Sequence, residues 1–113
     1  MSKKFKLKAH EIRDLARGYA GCFATNCITV DGKKVGYIYR EKADRADDSG
    51  WRFFSGEESQ TYIDDPKNTM VYDVNTIANY DPAIIPYLDA PPGSEFEREG
   101  DNFVSVKSPT PIS

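Results

Sequence analysis

The chain has 113 residues, a formal net charge of −3, 39% apolar and 29% charged residues. That length fits one domain, which buries roughly two-thirds of its unfolded surface and so holds a core without staples. The composition is that of an ordinary globular protein, and no stretch approaches the roughly 20 apolar residues of a membrane helix.

The opening residues, Met-Ser-Lys-Lys-Phe-Lys-Leu-Lys, are basic, and no apolar run follows them as a secretory signal requires. A cytoplasmic protein is therefore expected, and free thiols are the default for Cys22 and Cys27. The charge is uneven. Residues 1–42 hold ten Lys/Arg against four Asp/Glu, a net of +6; residues 43–113 hold five against fourteen, a net of −9. An acidic face of that size repels nucleic acid and attracts a basic protein partner. The plainer reading is solvated loop charge.

Residues 1–8 read as a flexible basic tail, 9–106 as the single domain and 107–113 as a flexible C-terminal tail. Ala9, Ile12, Leu15, Ala16 and Tyr19 recur at helical spacing, which predicts a helix over 9–17 stopped at Gly18. Cys22–Val30 is rich in strand formers. Asp31-Gly32 tolerates positive φ, and Lys33–Arg40 reads as a returning strand, so a hairpin is expected here. In the second strand Val35, Tyr37 and Tyr39 share one face, with Gly36 marking a bulge or a close approach by another backbone. Cys22 and Cys27, five apart on one strand, would point to opposite faces.

A polar loop over 41–50 leads to a third strand, Trp51–Phe54, with Trp51 and Phe53 on one face. A short helix is expected over 57–63, a turn at 64–68 and a fourth strand at Thr69–Tyr72. Asp73 is placed to cap a helix running to Asn79. Asp81-Pro82 has the N-cap and first-position residues of another short helix. Residues 95–98 and 103–106 flank Glu99-Gly100-Asp101-Asn102, a second hairpin. This irregular order predicts an α+β fold: a mostly antiparallel sheet with an N-terminal helix and short helices packed on it.

No pattern of catalytic chemistry emerges. His10 is the lone histidine, beside a basic tail, with no nucleophile signature near it. Two cysteines and one histidine are too few for a zinc site. The pairs Asp47-Asp48, Glu57-Glu58 and Asp64-Asp65 fall in expected loops, without the spacing of a calcium loop. The dispersed glycines form no phosphate loop. No catalytic residue, metal or other cofactor is expected. Trp51, Arg52, Phe53 and Phe54, between acidic loops, read either as core aromatics or as a recognition surface rimmed by acid.

Three strings carry a resemblance: Gly21-Cys-Phe-Ala-Thr-Asn-Cys-Ile-Thr-Val-Asp-Gly-Lys-Lys-Val-Gly-Tyr-Ile-Tyr-Arg40, Asp48-Ser-Gly-Trp-Arg-Phe-Phe-Ser-Gly56 and Tyr72-Asp-Val-Asn-Thr-Ile-Ala-Asn-Tyr-Asp-Pro82. Over residues 20–98 the chain resembles a bacterial family, once catalogued as a domain of unknown function and grouped with the immunity proteins of polymorphic toxin systems. The resemblance implies a cytoplasmic, non-catalytic protein that binds and neutralises a cognate toxin, and the acidic C-terminal two-thirds is compatible with a basic, nuclease-like one.

Two readings of the site follow. As a toxin-binding protein, the chain would use Trp51 and Tyr80 as aromatic anchors and Asp44, Asp47, Asp48, Glu57, Glu58, Asp64 and Asp65 as an acidic rim that steers association. As a small-ligand or enzymatic domain, it would gather Arg40, Arg52, Asp73 and Asn75, with Tyr80, around a cleft where arginines hold an anion.

Overall fold

The structure, a computed structural model, describes residues 4–106, so the expected 107–113 tail lies outside it. The fold is α+β. Six strands, β1 (Gly21–Thr25), β2 (Tyr37–Arg40), β3 (Asp48–Phe54), β4 (Thr69–Asp73), β5 (Glu95–Glu99) and β6 (Asn102–Ser105), form one sheet. Their order is β4-β1-β3-β2-β5-β6. The β1–β3 pair is parallel and every other pair is antiparallel.

One face of the sheet is covered by α1 (Asn26–Thr29), α3 (Val74–Tyr80) and a 3-10 helix, Pro82–Tyr87. Strand alternation sends Cys22, Ala24, Ile38, Trp51 and Phe53 into this layer, where Ile28, Val74, Ile77, Ile84 and Leu88 meet them fully buried. Two caps expected from sequence position these helices. The Asp73 carboxylate accepts from the Asn75 amide, and that of Asp81 from the Ala83 amide. The hairpin β5–β6 also forms as read, pairing Glu99 with Asn102.

Two expectations are overturned. In place of a helix over 9–17 there is only a 3-10 turn, Ala9–Glu11. The amides of Arg13, Leu15 and Ala16 donate instead to the side chains of Asn79 and Asn75, 2.7–2.8 Å away. The Arg13 carbonyl accepts from both asparagines. With α3 satisfying this backbone, Ala16 is buried without a helix being needed.

The hairpin around Asp31-Gly32 is absent as well. β1 ends at Thr25 and one helical turn, α1, follows, while β3 lies between β1 and β2. Gly32, at φ +74°, donates to the Ile28 carbonyl and so terminates α1. The left-handed residue that suits a hairpin turn serves equally to stop a helix. Burial of Ile28 and Thr29 outweighs the strand preference of this stretch. Cys22 and Cys27 therefore sit on different elements; both are buried and free.

Smaller details agree or shift. Gly36 is a close approach: a Cβ there would lie 2.1 Å from the Ser55 carbonyl oxygen. The helix expected over 57–63 is α2 (Gln60–Asp64), capped by Ser59. Residues 5–7, read as tail, lie against the body, with the Lys6 amide donating to the Thr29 carbonyl and the Leu7 amide to the Tyr80 hydroxyl.

Candidate functional site

Among the described residues, no helical layer lies over the centre of the second face of the sheet. Alternation places there Val71 from β4, Phe23 from β1, Arg52 and Phe54 from β3, Tyr37 and Tyr39 from β2, Glu95 and Glu97 from β5 and Val104 from β6. Val71 is 64% exposed, Val104 41% and Phe23 39%. Val71 and Phe23 sit directly opposite each other on the adjoining strands β4 and β1, whereas Val104 lies at the far edge of the sheet; adjoining exposed apolar side chains are the mark of an interaction surface.

Two substructures organise this face. Toward β1, the Arg52 guanidinium lies 4.6 Å from the centre of the Phe23 ring. Its Nε donates to Glu41 at 2.8 Å and its terminal nitrogens grip Asp48 at 2.9 and 3.0 Å. The bonds from Arg52 hold the Asp48 carboxyl below its usual range, against a smaller opposing effect of burial. Toward β2, Tyr39 stacks on Phe54 with ring centres 5.8 Å apart and planes 13° from parallel, and Tyr37 tilts against both. Burial and a 2.6 Å bond to Glu95 push the Tyr37 hydroxyl up.

Glu58 closes the edge beside Phe54. Burial would raise its carboxyl, but bonds from the Thr25 hydroxyl and the Ser55 amide outweigh burial and leave it below the ordinary value. It therefore stays an anion, anchored by hydrogen bonds. Between the Tyr37–Tyr39–Phe54 cluster, Glu58, Ile63, Glu97 and Arg98 lies an open groove of about 640 Å³.

The residues expected at a partner surface are scattered. Trp51 is fully buried on the opposite face, its indole N–H donating to the Leu88 carbonyl, so it offers no surface in the free chain. Tyr80 is also on the helical side, where its hydroxyl bonds Thr29 and Leu7. Asp48 and Glu58 belong to the open face. Asp44 and Asp47 are exposed on the loop before β3, Asp47 with Arg45 as an ion partner. Glu57 pairs with Lys33, Asp64 accepts from Gln60, and Asp65 caps the turn at 66–68.

The alternative cleft residues occupy separate sites. Arg40 donates to the carbonyls of Ser49 and Ala90, Arg52 is spent on Asp48 and Glu41, Asp73 caps α3, and Asn75 holds residues 13–16. Among the described residues no group of three His, Cys, Asp or Glu side chains is placed to hold a metal ion. No helix among them is long and apolar enough to cross a membrane.

Residues 22–107 match the family described as the immunity protein Imm33 domain. The chain belongs to that family. No curated protein and no solved structure gives a significant match. The Imm33 match covers the strands from Cys22 to β6 and hence the open face. Of its aromatic residues Phe54 was read in the sequence as part of a possible recognition surface, whereas Phe23, Tyr37 and Tyr39 were missed. Their signal was the alternation about Ile38, which puts Tyr37 and Tyr39 on one face. Which face stays open is invisible without the third dimension.

Proposed function

We propose that this Imm33 domain confers immunity by stoichiometric, non-catalytic binding of a cognate toxin in the cytoplasm, with the open sheet face as the contact surface. The observation that carries the reading is an uncovered sheet face with Val71, Phe23 and the Tyr37–Tyr39–Phe54 cluster exposed or half-buried, bordered by Glu41, Asp48, Glu58, Glu95 and Glu97. Aromatic centre and charged border are the anatomy of a protein interface, the rings supplying contact area and the carboxylates orientation and on-rate. The border favours a partner with a basic contact surface. Family membership supplies the toxin as the partner class.

The test is co-expression with the cognate toxin domain, first identified by pull-down of the tagged chain. Growth should be rescued by the wild-type chain and by a control variant on the helical side, Asp89→Asn. Rescue should be lost in the double variant Phe23→Asp/Val71→Asp, provided circular dichroism shows it folded. Full rescue by that folded double variant rules the open face out.

A further inference from the structure

The two halves of the open face are built from the same chemistry, and one half supplies its own cation. At the β1 end, a guanidinium rests on an aromatic ring between two carboxylates: Arg52 on Phe23, with Glu41 and Asp48 at 2.8–3.0 Å. At the β2 end, the parallel rings of Tyr39 and Phe54, with Tyr37 against them, line the groove together with Glu58 and Glu97. Among the described residues no salt bridge joins either carboxylate. Arg98, the one cation among the described residues that line the groove, is committed elsewhere: it donates to Asp81 at 2.6 Å and to the carbonyls of Val35 and Gly100.

We infer that this groove is an arginine pocket, receiving a guanidinium side chain that projects from a protein partner. The inference rests on the toxin-binding reading for the partner's identity. Stacked rings attract a cation over their faces, and a planar guanidinium stacks there while its N–H fork still reaches a carboxylate at the rim. Glu97 is exposed on β5, in register with Tyr37, and is the free carboxylate best placed for that fork. Glu58, fastened by hydrogen bonds, adds fixed negative charge at the other wall. The volume, about 640 Å³, exceeds one side chain and leaves room for the segment that bears it.

The test needs no toxin. The full ¹⁵N-labelled chain is titrated with acetyl-Gly-Arg-Gly-amide and followed by amide NMR. Saturable shifts confined to Tyr37, Tyr39, Phe54 and Glu97 are expected. The citrulline analogue, equal in shape and uncharged, should bind at least about fivefold more weakly, in line with a cation–π contribution of about 1 kcal/mol. Glu97→Gln should weaken the arginine peptide while leaving the rest of the spectrum superimposable. Absence of saturable groove shifts, or equal binding of the citrulline or lysine peptide, overturns the pocket. Tighter binding of free L-arginine than of the blocked peptide overturns a protein-borne occupant. A failed titration beside intact growth rescue removes the pocket alone, whereas saturable arginine binding beside failed rescue upholds the pocket and removes the toxin.

Discussion

Phe23 and Arg52 face each other across the parallel β1–β3 register, and the guanidinium of one lies 4.6 Å from the ring centre of the other. Arg52 is thereby only 8% exposed, on the face of the sheet whose centre no helix among the described residues covers. Its ion pairs reach outward to Glu41, half in solvent, and to Asp48, more enclosed.

This arrangement sets the cost of losing the cation. Arg52→Met keeps the stem over Phe23 and removes the charge. Its carboxylate partners can rehydrate, so the expected loss is about 1–2 kcal/mol, below the 3–5 kcal/mol typical of a fully buried pair. Arg52→Lys should recover only part of it, because an ammonium cannot serve both carboxylates in the same plane. Urea unfolding of both variants measures the difference.

Arg98 and Asp81 make the contrasting pair, at 2.6 Å with both side chains nearly enclosed. Asp81 also accepts from the Val35 amide and caps the Pro82–Tyr87 helix. Asp81→Asn strands the Arg98 charge and should cost about 3 kcal/mol or more. An equal effect for Asp81→Asn and Arg52→Met in parallel urea melts would contradict the burial argument.

The carboxylates give stability a definite pH dependence. Arg52 bonding draws the folded-state Asp48 below its unfolded value, and Glu58, despite burial, is likewise lowered by its hydrogen bonds. The unfolded chain binds these protons more readily. The stabilisation is complete above the unfolded carboxylate values, about 4 to 4.5, and disappears as the pH falls through the lower folded ones. Tm should therefore drop below about pH 4.5, and Glu58→Gln should drop less steeply. An unchanged acid limb in that variant would remove Glu58 from the explanation.

Steering charge should be separable from structural charge. Asp44 and Asp47 are exposed, whereas Asp48 is held by Arg52. Reversal of Asp44 and Asp47 to lysine should leave the urea midpoint nearly unchanged and slow toxin association severalfold at low salt, with the deficit shrinking as salt is raised. Stopped-flow association at two ionic strengths reads this directly. Reversal at Asp48 would confound folding with binding.

What the sequence determined by itself is local. Asp73 and Asp81 announce their helices because a carboxylate capping a backbone amide is a contact within three residues. Glu99-Gly100-Asp101-Asn102 turns its hairpin for the same reason, and Trp51 and Phe53 share a face because strands alternate. The three strings carrying the resemblance likewise sufficed for the family. Tertiary structure alone decided the rest. Asn75 and Asn79 satisfy the backbone of residues 13–16 from some sixty residues away, so apolar spacing there does not become a helix. Asp31-Gly32 serves a helix end or a hairpin with equal ease, and only insertion of β3 beside β1 selects between them. The open face is likewise a property of where α1 and α3 pack: covering one side of the sheet buries Trp51 and leaves Phe23, Tyr37 and Tyr39 toward solvent, a choice that no residue makes locally.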